Sequence, residues 1–423
     1  MIYKLSQLIF SESKLLGVIS VLLFLFHSGT TFFDFFRGKQ FSIYLFQQLW
    51  YLPDYLHVGP FDGSEFSTYF TLNVYLNQRH LVLALAIILA LFYFAVYFFK
   101  QKKKISTRYF ILAGILFGLL SRVHTLIFLG GGASLFLLFL FFKQYKSAFL
   151  FFTPAFFLFG FHLKDILHQQ IDHAFFLPGF LAAKPLSVET FARYWFLNLG
   201  VALVMIPIGF LFGNGFQRKI FLSILPLFIA GNLFQFGFRI EHNHSLFNLF
   251  LILANLYIAY FLVKLWRGKL FAKLASLVLI ILLTASGIVD LMGVKNDFQL
   301  YVADAPKNTF MQWIVDNTQK DDIFLAKQEI LDPVTLSGRN NYFGHTYYLS
   351  VMGYNYQDRS NRAKLYFEAN SQEILQMMKK DNIEYIVIPQ KPIADFTYQI
   401  NKVFLDRSLK KAYKDEDVIV YQL

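Results

Sequence analysis

The chain has 423 residues, 56% of them hydrophobic, with 39 Lys and Arg against 27 Asp and Glu, a formal net charge of +12 and no cysteine. The lack of cysteine excludes disulfides and thiolate metal sites. The charge excess is local: thirteen Lys and Arg, with no Asp or Glu, lie in the short gaps at 100–108, 143–146, 214–219 and 264–273, and the rest nearly cancels, so the basic balance reports topology and not nucleic-acid binding.

From the N-terminus, Met1 to Lys14 is mixed and weakly basic, and the apolar run Leu15 to Phe26 lacks a following small-residue cleavage site, which reads as an anchor helix. The aromatic run Phe41 to Leu52 is too short to span and carries Gln47 and Gln48; it predicts an interfacial or re-entrant helix. Further apolar runs follow at Leu81 to Phe99, Tyr109 to Leu120, Val123 to Phe142, Ser147 to Phe161, Leu199 to Phe212, Ile220 to Phe236, Leu246 to Val263 and Leu274 to Met292. A span needs roughly 20 apolar residues, and the runs together predict about nine transmembrane helices. Gly130, Gly131 and Gly132 fall inside one of them, where small residues allow close helix contact.

Placing Lys100, Lys102, Lys103, Lys104 and Arg108 in the cytoplasm sends every later basic gap inside as well, the positive-inside pattern. The expected domains are a transmembrane helical part, 1–293, with outer loops at about 31–79 and 162–195, and an extracytoplasmic α/β domain, 294–423. In the latter, Ile323 to Ala326, Tyr385 to Ile388 and Val418 to Tyr421 read as buried strands. Asn308 to Asn317 and the segment capped by Ser371 read as helices, and about 125 residues suffice for a separate core.

Polar residues gather at the predicted outer rim. Asn77 to His80 leads into one helix, Ser121 to His124 forms an outer turn, His162 to His173 follows a third helix, and Arg239 to His244 separates two more. Taken singly, such Arg and His cap helix ends or reach to the interface; four clusters at one rim predict a cationic cleft for a phosphate or pyrophosphate headgroup. Arg79, His80, Arg122, His124 and Arg239 are the candidate phosphate ligands, with Glu241, His242 and His244 beside them, and the spacing of those two His leaves a divalent metal compatible with the site. Taken singly, Asp34, Asp54, Asp62 and Glu65 of the first outer loop read as solvated turn acids around Pro53, Pro60 and Gly63; a carboxylate in such a loop is also a candidate general base near the membrane surface. No P-loop, dinucleotide fingerprint, GxSxG or HExxH is present.

The organisation resembles the GT-C glycosyltransferases, multi-span enzymes that use polyprenyl-phosphate-linked sugars at the outer membrane face. The resemblance rests on the loop alternation, on Leu112 to His124 (LAGILFGLLSRVH) and Glu241 to Asn248 (EHNHSLFN), and on Ser337-Gly338-Arg339, Tyr342, Gly344, Gly353-Tyr354, Arg359 and Ile383 to Ile388 in the C-terminal part. It implies a multi-pass plasma-membrane protein with membrane lipid, a polyprenyl-phosphate-linked sugar and an envelope acceptor as partners, inverting transfer, Asp54 or Asp62 as the catalytic acid-base residue, and Arg339 and Arg359 as further rim candidates. The family's adjacent acids in the first outer loop are absent here, as expected if the chain lacks an N-terminal catalytic portion or is a non-catalytic relative. Two other classes compete, a transporter or flippase of lipid-linked glycans and a membrane protein whose outer domain binds glycans.

Overall fold

The computed structural model describes the chain except residues 12, 54–55, 57–62, 66–71, 73–78, 102–105, 169–174, 238–242, 297–303, 330, 352–353 and 394–395, and except the side chains of 79, 165–168, 305 and 351. It divides into two compact units, Met1–Phe298 and Gln299–Leu423.

The first unit is helical: α1 (Ile2–Phe10), α2 (Lys14–Phe26), α3 (Thr31–Phe36), α4 (Ile43–Trp50), α5 (Arg79–Gln101), α6 (Thr107–Val123), α7 (Thr125–Phe141), α8 (Tyr145–His168), α9 (Val188–Leu199), α10 (Ala202–Phe212), α11 (Gly215–Leu233), α12 (His244–Trp266) and α13 (Leu270–Asn296). Two short strands, β1 (Phe175–Phe176) and β2 (Phe234–Gln235), pair antiparallel between them. Among the described residues four helices, His80–Gln101, Tyr145–Lys164, His244–Trp266 and Leu270–Asn296, are long and apolar enough to cross a membrane, and α9 with α10, bent by 86°, makes a fifth if counted as one span. Of the about nine expected spans, four or five reach that length and hydropathy among the described residues. The other apolar runs overlap helices that are too short, such as α2 with 13 residues and α7 with 17, or that carry polar residues near an end, such as α11 with Arg218 and Lys219.

Helix α12 is the axis of the unit, buried along nearly its whole length because it is apolar on every face. Close approach by α7 is a matter of glycine: a Cβ at Gly130 would stand 2.4 Å from Leu246 Cδ2, and one at Gly131 would stand 2.6 Å from Ile88 Cδ1. The expected outer loop from His162 begins later than its sequence predicts, since α8 continues to His168.

The second unit holds a five-stranded sheet in the order β4-β3-β5-β7-β6. Strands β3 (Ile323–Leu325), β4 (Asn340–Asn341) and β5 (Ile383–Pro389) are parallel, while β7 (Val418–Gln422) runs antiparallel to β5 and to β6 (Lys410–Lys414). Alternation along the strands builds two cores. Leu325, Ile386, Ile388, Ile419 and Tyr421 pack on one face, and Phe324, Tyr385, Val387 and Val420 on the other with Phe310 and Ile314 of α14 (Thr309–Asn317). Asn308 caps α14 through its side chain, accepting from the Met311 N–H at 2.8 Å. Ser371 stands at the N-cap of its helix (Gln372–Lys380) without a side-chain cap bond.

Candidate functional site

The turn after α2 is short and polar, His27-Ser28-Gly29-Thr30-Thr31, and all of it except the glycine is buried polar side chain. Buried polar groups need partners, and these find them on three other segments. Ser28 Oγ donates to Asp290 Oδ2 of α13 at 2.5 Å, and Ser286 Oγ, one turn earlier, donates to the Gly29 carbonyl at 2.8 Å while accepting from the Phe32 N–H. The Thr30 N–H and hydroxyl both reach the Leu197 carbonyl of α9. Glu65, only 5% exposed, accepts from the Thr30 N–H, from Thr30 Oγ1 at 3.0 Å and from Thr31 Oγ1 at 2.8 Å. Asn198 closes the set, donating to the Ser64 and Tyr194 carbonyls. His27 Nε2 lies 3.5 Å from the Leu199 carbonyl, where the α9–α10 bend begins.

A cavity of about 660 Å³ opens against this knot, lined by Thr30, Asp34, Arg37, Ser64, Glu65 and Arg193 among others. Asp34 of α3 and Arg37, the residue that ends that helix, stand three residues apart and form an ion pair at 3.1 Å. Arg193 enters from α9, two turns into a helix opened by a Ser187–Thr190 capping box. The cavity therefore brings two carboxylates and two guanidinium groups to one mouth, a set able to take a proton and to hold an anionic oxygen.

The rim clusters also meet in part. The His80 and His124 rings stack at 5.5 Å between centroids, and His124 Nε2 lies 3.3 Å from Ser245 Oγ at the start of α12. His124 Nδ1 accepts from the Ile127 N–H as the cap of α7, so the neutral ring carries its proton on Nε2 and donates it to Ser245. His162 of α8 joins through Thr125 Oγ1 at 3.4 Å. His80 and Arg122 are exposed and His244 is buried. His80, Arg122 and His124 are absent from the lining of the carboxylate cavity. Asp54, Asp62, Arg239, Glu241 and His242, and the side chain of Arg79, lie outside the described residues. Among the described residues no group of three His, Asp or Glu is arranged to hold a metal ion.

Two candidates fall in the second unit. Arg339 donates to the carbonyls of Ile314, Val315 and Thr318 and to Thr318 Oγ1, closing the C-terminal end of α14, which occupies its guanidinium in helix capping. Arg359 lies over the Tyr342 ring at 5.2 Å. Asp290, Asn198 and Arg193 did not emerge from the sequence. The signal for Asp290 was there, a lone acid inside an apolar run.

The molecule is thus a helical membrane protein carrying a separate α/β unit, with one knot of buried polar side chains at the junction of α2, α9 and α13. No family model matches the chain, and no curated protein does. Among solved structures it is similar to the crystal structure of the Archaeoglobus fulgidus oligosaccharyltransferase tethered with an acceptor peptide, at 12% identity and a TM-score of 0.36, over 92% of this chain and 56% of that one. The chain spans little more than half the length of that enzyme.

Proposed function

We propose that the chain is a membrane glycosyltransferase-like protein acting on lipid-linked sugars at the extracytoplasmic face. One observation carries the reading: the cavity that sets Asp34 and Glu65 beside Arg37 and Arg193 at the junction of membrane helices. A carboxylate there takes the acceptor proton, the acceptor oxygen or nitrogen bonds to the anomeric carbon, and the bond from that carbon to the lipid-borne phosphate breaks, leaving its electron pair on the phosphate. Guanidinium groups hold the departing anion. Asp34 is the candidate base in this cavity, because Glu65 is spent on three hydrogen bonds to the α2–α3 turn. Asp54 and Asp62 remain candidates from the first outer loop, and Arg79, His80, Arg122, His124 and Arg239 remain candidate phosphate ligands at the rim.

The test is sugar transfer by the full chain in proteoliposomes supplied with polyprenyl-phosphate-linked sugars and a mixed peptide and glycan acceptor pool. Asp34→Asn should lower transfer by about 10²–10⁴-fold with expression intact. Full activity in Asp34→Asn together with a loss in Asp54→Asn or Asp62→Asn moves the base into the loop. No transfer by the parent chain with any donor removes the reading. A transporter of lipid-linked glycans gains support from the bent pair α9–α10, since broken helices mark substrate sites in transporters. It predicts movement of the glycan across the membrane with no change in its mass.

A further inference from the structure

Helix α4 presents three faces. Leu45 and Leu49 point inward to Phe35 of α3 and Val289 of α13. At 3.6 residues per turn, Ile43, Phe46 and Trp50 fall within an arc of about 60° on another side, and they are exposed by 81%, 50% and 53%. Gln47 and Gln48 flank Tyr44 on the remaining side, and all three are exposed. A helix with a packed face, an apolar face and an amide face fits the boundary between water and hydrocarbon better than either phase alone.

Where α4 is anchored fixes which boundary this is. Asn296 Nδ2 donates to the Trp50 and Leu52 carbonyls at 2.8 Å, Lys295 Nζ donates to the Trp50 carbonyl at 3.3 Å, and the same ammonium sits 4.0 Å from the centre of the Trp50 ring. Both residues end α13, a candidate span of 27 residues. That helix is about 40 Å long against a hydrocarbon core of about 30 Å, so its polar last turn emerges at headgroup depth. Trp and Tyr collect at that depth, and Lys39, 3.8 Å from the Phe35 ring centre, adds a second cation beside the same surface.

We propose that α4 lies in the membrane interface at the emerging end of α13, with Ile43, Phe46 and Trp50 inserted among the lipid chains, and that it forms the membrane-side lip of the carboxylate cavity. The link to the cavity is α3: Phe35 packs on α4, while Asp34 and Arg37 of the same two turns line the cavity. Insertion of α4 thereby sets the depth at which Asp34 and Arg37 stand, level with the headgroup of a lipid-borne ligand. The occupant of the exposed face is bilayer lipid.

The chain has no cysteine, so a nitroxide can be placed at single sites. Ile43→Cys, Phe46→Cys and Gln48→Cys all replace exposed side chains and leave the Leu45–Phe35 contact in place. In proteoliposomes of phosphatidylcholine and phosphatidylglycerol, power saturation should give labels at 43 and 46 a several-fold higher ratio of oxygen to nickel-chelate collisions than the label at 48. Equal nickel access at all three sites would put the face in water and overturn the proposal. Exclusion of both reagents at 43 and 46 would mean a protein cover, whether another copy or another part of this chain, and would overturn it too. Neither result bears on the transfer reading, which is judged by product formation.

Discussion

Replacing Asp332 by Asn should stabilise the second unit, and only above the acidic range. Asp332 is the N-cap of the short helix Pro333–Leu336, its Oδ1 accepting from the Val334 N–H at 2.9 Å. Burial pushes its carboxyl up from 3.8 to about 6; the cap bond opposes this, Glu329 adds to it and Lys327 opposes it. A carboxyl raised in the folded state favours folding only while it is protonated. That contribution is complete below the unfolded value near 4 and is gone once the pH has risen through about 6. A shift of about two units corresponds to about 3 kcal/mol, and with partial solvent access about 1–3 kcal/mol is the expected range. Asparagine keeps the cap oxygen and cannot ionise.

The assay is urea unfolding of a Gln299–Leu423 fragment, followed through Trp313, the one tryptophan in that stretch, which packs on Phe310, Tyr385 and Tyr413. The fragment is expected to be soluble, with mixed helix and strand by circular dichroism, because both faces of its sheet are covered by its own residues. At pH 7.5 Asp332→Asn should exceed the parent by about 1–3 kcal/mol, and at pH 4 the two should converge. An advantage equal at both pH values, or a less stable variant at pH 7.5, would refute the burial argument.

Three further outcomes are expected. Asp381 accepts from the Tyr342 and Tyr366 hydroxyls at 2.6 and 2.7 Å and pairs with Arg362; partial burial works against ionisation, but these donors outweigh it and hold the carboxyl below its usual range. The stability it contributes is present above about pH 4 and lost as pH falls through the lowered value, so Asp381→Asn should flatten the acid limb of the fragment's stability profile, and Tyr342→Phe should cost about 1–2 kcal/mol at neutral pH. Gly29→Ala would set a Cβ 2.4 Å from both Glu65 Oε1 and the Leu197 carbonyl, and should lower the melting temperature of the full chain in detergent, whereas Gly160→Ala, with open space around it, should not. Single cysteines at Lys146, Arg218 and Lys269 should resist an impermeant thiol reagent in intact cells and react after lysis, as the basic gaps require when the 19-residue α11 crosses together with α12; labelling of Lys269 alone from outside would leave α11 uncrossed, and labelling of Lys146 or Arg218 would invert the topology.

What the sequence revealed follows from the range of each interaction. Periodicity is a local property, so Ile323 to Ala326, Tyr385 to Ile388 and Val418 to Tyr421 were legible as strands and stand as β3, β5 and β7, within a residue or two at their ends. Apolar composition was legible too, but span length was not. A run such as Leu199 to Phe212 is apolar throughout, yet Gly200, at φ +56°, turns the chain between α9 and α10 by 86°. The rim histidines were recognised as helix-end residues, and stacking of His80 on His124 shows that ends distant in sequence do converge.

The carboxylate cavity was legible only in pieces, and the reason is physical. Asp34 and Glu65 were visible as acids of one loop, but a carboxylate's role depends on its surroundings, and these are assembled here from 30–31, which bonds Glu65, from 193–198, which supplies Arg193 and holds Ser64, and from 286–290, which holds the Ser28–Gly29 turn. Each of those segments looks ordinary alone: a pair of threonines after an apolar run, an arginine and an asparagine on an amphipathic helix, a serine and an aspartate inside a span. Their meaning is created by packing, because a buried serine, asparagine or aspartate is costly unless another polar group meets it, and that cost ties the four segments together. The same knot separates structural from chemical work among the two acids. Glu65 is nearly enclosed and holds the α2–α3 turn, whereas Asp34 stands exposed in the cavity with Arg37 beside it. Asp34 thus presents its carboxylate to the cavity beside Arg37 while Glu65 is turned to the α2–α3 turn, so loss of Glu65 should act through the position of Asp34, whereas Asp34→Asn should lower transfer with expression intact.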